Sequence, residues 1–346
     1  MDSDVKLLSS RTQGSPATTM IELSRLYYLS RAIHVAVEIG VADLIPENGI
    51  SATELAQKTE MDPSALRRLM QFLASYGVFE QTGGEHFGPT GLSEVLRKDH
   101  PDSVLPIVRY VGTAWWNAAG ALLHSVKTGA AAFLSVNGMS FYEYLTHDSD
   151  MQRRFNEGMA RISDADDEAV VDAYDFSRFR RVVDVGGGRG GLLAQILKRN
   201  PGVESVLFDR PQVIDAPIRL QETGQLGRCQ CVGGDFLQSV PEGAECYIIK
   251  GVLQDFDDEA CQTVLVNCRN AVIRDGRILV VERLPPSNVD GPHPNIFMDI
   301  HMMVLFGGQV RRESDWSRIF DRSGLEIGEL VHTTADFTVI EGILRE

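Results

Sequence analysis

Five glycines lie close together in one run of this chain, Asp184-Val185-Gly186-Gly187-Gly188-Arg189-Gly190-Gly191. The apolar stretch RVVDV leads into this glycine loop, and the amphipathic stretch GLLAQILKR follows it. Glycines allow the backbone to pass close to a ligand, and the first turn of a helix presents free N–H groups. The loop therefore predicts a strand–loop–helix unit that holds a cofactor at the carboxyl end of the strand.

Strand and helix patterns alternate after residue 181, which predicts a mostly parallel, doubly wound α/β sheet. The last two strands are joined by only Thr333 to Asp336, and a parallel crossover needs a dozen or more residues. We therefore expect an antiparallel hairpin at the sheet edge. The predicted strands are 181–185, 203–209, 229–233, 246–250, 277–283, 325–331 and 337–344, with helices at 212–223, 257–273 and 313–323.

The glycine loop fits two cofactor patterns. Gly186, Gly188 and Gly191 satisfy the dinucleotide pattern G-x-G-x-x-G, whereas Asp184 with Gly186, Gly188 and Gly190 satisfies D-x-G-x-G-x-G, the pattern of S-adenosyl-L-methionine (AdoMet) sites. A carboxylate at 184 suits a cationic amino-acid ligand and disfavours a pyrophosphate. Asp209 at the end of the second strand suits ribose hydroxyls of either cofactor. Gly234-Asp235-Phe236 after the third strand can flank an adenine, so AdoMet is favoured.

Residues 20–175 have mostly helical periodicity. A helix capped by Ser51, a turn at Met61-Asp62-Pro63, a second helix to Tyr76 and a wing at Gly83-Gly84 predict a winged helix. DNA binding is one interpretation, but 33 Lys and Arg against 48 Asp and Glu give a net charge of −15. Basic residues favour binding to nucleic acid and to anionic membranes, and this chain is acidic. The winged helix is therefore interpreted as a packing or dimerisation module. The predicted divisions are a disordered lead-in at 1–19, a helical domain at 20–175 and a cofactor domain at 176–346.

The segment 103–163 is expected to form long amphipathic helices rich in aromatic and Met residues. These helices are interpreted as one wall of a pocket for a small molecule, and a core or dimer surface is the alternative. Adjacent Trp residues cannot face the same way on a helix, so one of the pair needs a second surface. The pocket candidates are Tyr110, Trp115, Trp116, Phe133, Phe155 and Met159, with Met298 and Met302 from the helix at 295–305.

Other features indicate a cytoplasmic protein. No apolar run reaches the ~20 residues that span a bilayer, and the polar N-terminus is unlike a secretory signal. Five cysteines without a C-x-x-C pair predict neither a disulfide framework nor a structural zinc site.

The chain resembles the AdoMet-dependent small-molecule O-methyltransferases related to acetylserotonin, caffeic acid and hydroxyneurosporene methyltransferases. The resemblance covers about residues 20–345 and rests on motifs in the family's order. It implies a winged-helix dimerisation domain before a Rossmann-like AdoMet domain, and a homodimer. It also implies AdoMet contacts at Gly186, Asp209, Asp235, Phe236 and Lys250, with Ser163 reaching the methionine carboxylate. The motifs are VVDVGGGRG, LFDRPQV, GDFLQSVP, KGVLQDFDDEAC, LVVERLPP and FGGQVRRESDW.

The expected catalytic histidine is missing. In the family a segment resembling LHDW carries a histidine that removes the proton of the substrate hydroxyl, and here Gln254 takes that position. A carboxamide has no useful basicity near pH 7. Of the two glutamates that orient the histidine, one falls on Glu282 and the position of the other falls on Val310. The expected catalytic residues are therefore Gln254, Asp255, Glu282 and His301, with Glu282 or His301 as the acid/base.

Several reactions stay open. Methyl transfer needs no strong base if the acceptor is an acidic enol, a phenolate, a carboxylate or an amine held in line with the methyl group. Transfer to carbon is a second mechanism. A third keeps AdoMet without methyl transfer, as in related pericyclases, decarboxylases and hydroxylases, and a non-catalytic winged-helix regulator is the remaining alternative. A metal near Asp255 and His301 is disfavoured, because Gln254 is a poor replacement for a histidine ligand.

Overall fold

The computed structural model describes residues 15–214 and 217–345. They divide into two compact units. The first runs to Trp116 and includes Asp148–Arg161, and the second contains Asn117–His147 and the residues from Ile162 onward. The sequence predicts a single join near residue 175, whereas in this division by contacts the chain passes from one unit to the other three times. Helical periodicity marks a buried face but does not indicate which unit buries it.

The first unit contains the winged helix that the sequence predicts. Ser51 Oγ accepts the Glu54 N–H at 3.1 Å and begins one helix, and Asp62 Oδ1 accepts the Ala65 N–H at 2.8 Å and begins the next. The wing is the pair β2–β3 in a small antiparallel sheet of order β1-β3-β2. Its elements are α1 (Pro16–Ser24), α2 (Leu26–Ile39), α3 (Val41–Leu44), β1 (Ile50–Ser51), α4 (Ala52–Thr59), α5 (Pro63–Ser75), β2 (Glu80–Gly83), β3 (His86–Gly88), α6 (Gly91–Glu94) and α7 (Leu105–Val111).

Two predictions about this half need correction. Residues 1–14 of the predicted lead-in lie outside the described residues, but its end is ordered, because Ser15 caps α1 and Pro16 suits the first helical position. The predicted long helix after residue 103 is three short ones, α7, α8 (Ala114–Gly120) and α9 (Leu122–Thr128). The first break falls at Gly112, where an added Cβ would lie 2.8 Å from His34 Cγ.

The second unit is built on a seven-stranded sheet of order β6-β5-β4-β7-β8-β10-β9. Strands β6, β5, β4, β7 and β8 are parallel, β10 is antiparallel to β8, and β9 and β10 form the predicted hairpin. The strands are β4 (Arg181–Val185), β5 (Glu204–Asp209), β6 (Cys229–Gly233), β7 (Cys246–Lys250), β8 (Arg277–Arg283), β9 (Leu325–His332) and β10 (Phe337–Leu344).

Helices cover both faces of this sheet. Tyr247 and Ile249 of β7 pack in one core cluster, and Cys246 and Ile248 pack in another, as expected for a central parallel strand. The helices are α10 (Ala132–Asn137), α11 (Phe141–His147), α12 (Ser149–Ala173, which begins in the first unit), α13 (Gly191–Arg199), α14 (Pro211–Ile214), α15 (Ile218–Glu222), α16 (Asp258–Ala271), α17 (Pro294–Leu305) and α18 (Glu313–Arg322), with 3₁₀ turns at Leu226–Arg228 and Leu253–Asp255. The carboxyl ends of β4, β5 and β7 therefore meet at one edge.

The helices in the described part of the chain were also compared with the length and apolarity that a bilayer span requires. None of them meets both requirements.

Candidate active site

The glycine loop joins β4 to α13 and is held by β5. Gly186 has a φ of +74°, and an added Cβ would lie 2.7 Å from Val252 Cγ2, so glycine suits this position. The Gly186 N–H donates to the Phe208 carbonyl at 2.8 Å, and the Gly188 N–H donates to Asp209 Oδ2 at 2.9 Å. The structure thus brings the loop and Asp209 together.

The chemistry of this loop fits a cationic ligand better than a pyrophosphate. A phosphate would need the Gly188 N–H, which already donates to a carboxylate. Asp184 is 3 % exposed, and burial, together with the charge of Asp167, raises its pKa to about 8. Buried carboxyl groups beside the loop suit hydroxyl groups and a positively charged ligand, as AdoMet presents, because a nearby positive charge favours the ionised form of a carboxyl group.

Ion pairs join α12 to the carboxyl ends of two strands. Lys250 at the end of β7 binds Asp167 Oδ1 at 2.6 Å, and Arg283 at the end of β8 lies 3.5 Å from Asp166. Ser163 is half-buried on the same helix, one turn before Asp167. The predicted cofactor contact Lys250 therefore also fixes the helix segment that carries Ser163.

The predicted adenine residues follow β6. Asp235 is exposed and its Oδ1 accepts the Leu237 N–H at 2.9 Å. Phe236 is half-buried, with its ring edge-on to Phe256 at 5.7 Å. Asp235 therefore offers a polar side chain at this position, and Phe236 offers a fixed aromatic surface.

The Leu253–Asp255 turn carries Gln254 and Asp255 beyond β7. Oε1 of Glu282, on β8, accepts the N–H groups of Leu253 at 2.8 Å and of Gln254 at 3.2 Å. Burial, and then the Asp255 charge, raises the pKa of Glu282 to about 8. This carboxyl, predicted as an acid/base, also fixes the backbone of the turn.

The carbonyl side of the turn is held by residues after α17. Arg311 is 1 % exposed and donates to the Leu253 carbonyl at 3.0 Å, the Phe256 carbonyl at 2.7 Å and Asp258 Oδ1 at 2.9 Å. The Gln309 N–H donates to the Gln254 carbonyl at 2.9 Å. Hydrogen bonds to the N–H groups of the turn and to its carbonyl groups therefore both fix the position of the Gln254 backbone.

Gln254 retains an unused acceptor inside this frame. Its Oε1 atom is buried, and among the described residues no group donates a hydrogen bond to it. The same is true of Glu282 Oε2 within that part of the chain. A buried carboxamide oxygen without a donor is costly, so Gln254 Oε1 suits a donor brought by a ligand. Glu282 Oε2 carries the proton when this carboxyl is neutral, and it then suits an acceptor.

Val310 occupies the position of the second expected glutamate and is buried. Its N–H donates to Asp299 Oδ1 at 2.8 Å. Asp299 therefore binds the loop after α17 through its backbone.

The structure adds one residue that the sequence did not indicate. The Tyr142 hydroxyl, on α11, donates to Asp255 Oδ2 at 2.6 Å. Burial raises the pKa of Asp255 to about 7, although the hydrogen bond from Tyr142 opposes this. These two residues are far apart in sequence, and no local motif joins them.

His301 lies on α17 with its ring stacked on Phe297 at 5.7 Å. Burial lowers the pKa of His301 to about 4, so the ring is neutral near pH 7. Met298 and Met302 lie on the same helix, half-buried and buried, and Phe133 of α10 is fully buried. These three belong to the second unit. Across the described ranges, no group of three or more His, Cys, Asp or Glu side chains is arranged to hold a metal ion.

The other predicted pocket residues belong to the first unit. Tyr110 and Trp115 are buried with ring centroids 4.4 Å apart, and Phe155 lies 5.9 Å from Tyr110. Trp116 packs edge-on to His34 at 5.6 Å, so the adjacent Trp residues do contact different surfaces. Met159 is half-buried on α12.

Comparison with known proteins gives consistent matches. Residues 116–326 match the O-methyltransferase domain family, and residues 21–99 match the O-methyltransferase dimerisation domain family. Phenazine O-methyltransferase PhzM of Lysobacter antibioticus is 36% identical over 94% of this chain and 95% of its own. The 3-amino-4-hydroxybenzoate 4-O-methyltransferase of Streptomyces cremeus is 35% identical, with 96% and 92% covered.

Solved structures match along nearly the whole chain. The mitomycin 7-O-methyltransferase MmcR has a TM-score of 0.90 at 35% identity and covers 95% of this chain and 98% of its own. NcsB1, an O-methyltransferase from neocarzinostatin biosynthesis, has a TM-score of 0.84 at 29% identity, with 94% and 98% covered. That structure contains S-adenosylmethionine and 2-hydroxy-5-methyl naphthoic acid.

Proposed function

Because this chain belongs to the O-methyltransferase family and is an AdoMet-dependent small-molecule methyltransferase, we propose that it methylates an acidic hydroxyl on a flat aromatic acceptor. AdoMet supplies an activated methyl group when it is bound. The residues of this chain then have to hold the acceptor oxygen in line and to manage its proton. A phenol acidified by a ring substituent places the least demand on a site without a histidine base.

The unpartnered Gln254 Oε1 atom carries this proposal. A phenolic O–H that donates to this buried oxygen satisfies it and fixes the orientation of the nucleophile. Aromatic and Met side chains in the second unit suit a flat ring. Relatives support this acceptor class, because their names specify a hydroxybenzoate and their structures hold a naphthoic acid.

The test compares wild type with Gln254→Ala. Each is incubated with AdoMet and 3-amino-4-hydroxybenzoate, 1,4-dihydroxy-2-naphthoic acid or an aliphatic alcohol, and products are identified by mass. We expect methylation of the phenols alone. Loss of one hydrogen bond to the acceptor should lower kcat/KM about tenfold and leave both limbs of the pH–rate profile in place.

Two outcomes contradict this proposal. Conversion of a substrate without consumption of AdoMet indicates the non-methylating alternative. Loss of a titrating limb in Gln254→Ala places Gln254 on the proton path. Gln262→Ala on α16 is the matched control, because its amide donates to the Arg322 carbonyl away from the turn.

We further propose that the chain forms a homodimer through its N-terminal helices. The dimerisation-domain match supports association, and α1 and α2 expose Ile21, Leu23 and Tyr28 at 50%, 47% and 59%. Leu23→Glu should shift the light-scattering mass from dimer to monomer across a dilution series. Glu22→Gln on the same helix should leave the mass unchanged, and a dimeric Leu23→Glu contradicts this interface.

A further inference from the structure

Tyr142 and Asp255 form a half-buried pair, and Asp255 is an expected catalytic residue that has not yet been given a step in the reaction. Tyr142 is the second residue of α11, and Asp255 is the last residue of the turn after β7. The tyrosine hydroxyl donates to Oδ2 at 2.6 Å. Within the described ranges no other side chain bonds to this carboxylate, so Oδ1 stays open to an incoming donor.

The tyrosine ring is itself held firmly. The Arg210 guanidinium lies 4.8 Å from the ring centroid, and the Phe306 ring stacks at 5.4 Å with an interplanar angle of 29°. Arg210 directly follows Asp209, which holds the glycine loop, and Phe306 follows α17. The ring therefore joins the cofactor end of β5 to the turn that carries Asp255.

The other side chains predicted to be catalytic are less suited than Asp255 to take the proton of the acceptor. Glu282 uses Oε1 to bind two N–H groups. The pKa of His301 is lowered by burial to about 4, and Gln254 has no basic atom. The charge of Asp255 also helps to raise the pKa of Glu282 to about 8. Of these two carboxyl groups, Asp255, with a pKa of about 7, loses its proton at lower pH than Glu282.

We propose that Asp255 accepts the proton of the acceptor hydroxyl and that Tyr142 is the residue that positions Asp255 for this step. The inference rests on the proposed function. In the reaction the acceptor O–H turns from Gln254 Oε1 to Asp255 Oδ1. As the acceptor oxygen attacks the methyl carbon, its proton passes to Asp255 Oδ1. The carbon–sulfur bond breaks and its electron pair stays on sulfur. The products are the methyl ether, S-adenosylhomocysteine and protonated Asp255, which then releases its proton to solvent.

The charged and titratable groups around the pair determine the direction of its pH response. Tyr142 from α11 lowers the pKa of Asp255 against the larger effect of burial, which raises it. Arg210 and Asp209 act on Tyr142 from the end of β5, and Glu282 on β8 interacts with Asp255. Removing the tyrosine hydroxyl should therefore raise the pKa of Asp255. Because a base works in its deprotonated form, the acidic limb of the rate profile moves to higher pH.

The test uses Asp255→Asn, Tyr142→Phe and the control Glu143→Gln, at an exposed position of the same helix. With 3-amino-4-hydroxybenzoate we expect Asp255→Asn to lose the acidic limb of the kcat/KM profile and about 10²-fold or more in kcat. Tyr142→Phe should shift that limb upward in pH, with a smaller loss of kcat and little change in KM. Glu143→Gln should match wild type.

A second readout does not depend on turnover. The absorbance of the same phenol, bound in the presence of S-adenosylhomocysteine, reports its ionisation. A neighbouring carboxylate disfavours a phenolate, so the bound phenol should ionise at lower pH in Asp255→Asn than in wild type. A merely structural role of Asp255 would not move this midpoint.

The outcomes separate this inference from the proposed function. If wild type methylates no phenol, the proposed function fails. If wild type methylates phenols but Asp255→Asn keeps both the acidic limb and the ionisation midpoint, only the role of Asp255 fails. Thermal unfolding is measured for each variant, and Tyr142→Phe provides the test if Asp255→Asn does not fold.

Discussion

One carboxylate oxygen of Glu282 accepts the N–H of Leu253 at 2.8 Å. The family resemblance implies that this glutamate orients a catalytic side chain at position 254. In this protein Glu282 binds the backbone of the turn just before that position. Burial of the Glu282 carboxyl disfavours its charged form. Its titration is therefore expected to influence the stability of the fold.

The first prediction concerns Glu282→Gln and pH. Burial raises the pKa of Glu282 from 4.5 to about 8, so the folded chain binds more protons than the unfolded chain between these values. The contribution of Glu282 to stability is then fully present below pH 4.5 and is lost as the pH rises through about 8. One pKa unit corresponds to about 1.4 kcal/mol. From about pH 5 to about pH 8.5, the thermal midpoint of Glu282→Gln should fall less than that of wild type.

Glu329→Gln is the control for this prediction, because Glu329 is an exposed carboxylate on β9. Its melting temperature should follow the wild-type pH dependence. Parallel curves for Glu282→Gln and wild type would show that the buried carboxyl does not titrate in this range.

The second prediction is that Gly308→Ala disrupts the turn. An ideal Cβ at Gly308 would overlap the carbonyl oxygen of Gln254 and lie 2.9 Å from the carbonyl carbon of Asp255. Both are backbone atoms, and the Gln254 carbonyl already accepts the Gln309 N–H, so the clash cannot be relieved by a rotamer change. We expect a stability loss of about 1–3 kcal/mol, measured by thermal unfolding, together with reduced turnover.

Gly291→Ala is the matched control, since its added Cβ meets nothing within 4 Å. It should unfold at the wild-type temperature. Normal turnover and stability in Gly308→Ala would mean that the turn can shift freely.

The strands and the glycine loop could be predicted because their signals are local. Each parallel strand is a short apolar run that ends at a turn, and the sheet contains all seven predicted strands. The short link from Thr333 to Asp336 was enough to predict the hairpin, because chain length alone excludes a crossover.

The arrangement of the site could not be predicted in the same way. The Tyr142–Asp255 bond joins residues 113 positions apart, and no periodicity relates them. The role of Glu282 as a backbone acceptor depends on the register of β7 and β8. The assignment of residues 117–147 to the second unit follows from tertiary contacts, because their helical pattern is the same in either unit.

The third prediction concerns Arg311→Lys. The buried guanidinium serves two carbonyl groups and one carboxylate at once, and an ammonium group cannot reproduce this planar set of donors. Leaving buried acceptors unsatisfied costs about 1–3 kcal/mol each. Arg311→Lys should therefore lower the melting temperature and kcat, whereas Arg274→Lys, at an exposed position, should change neither. A fully active Arg311→Lys would mean that the turn does not depend on this side chain.

The fourth prediction is that Asp209→Asn weakens cofactor binding. The carboxylate accepts the Gly188 N–H at 2.9 Å and the Arg210 N–H at 2.7 Å, so it holds the glycine loop, where the cofactor is predicted to bind. Hydrogen bonds to a charged group contribute about 1.5–3 kcal/mol, which corresponds to about a 10- to 100-fold weaker Kd for S-adenosylhomocysteine by calorimetry. Glu204→Gln, exposed at the other end of β5, should bind like wild type. An unchanged affinity in Asp209→Asn would remove this residue from the cofactor site, and heat from NAD instead of S-adenosylhomocysteine would contradict the pyrophosphate argument made from the Gly188 N–H.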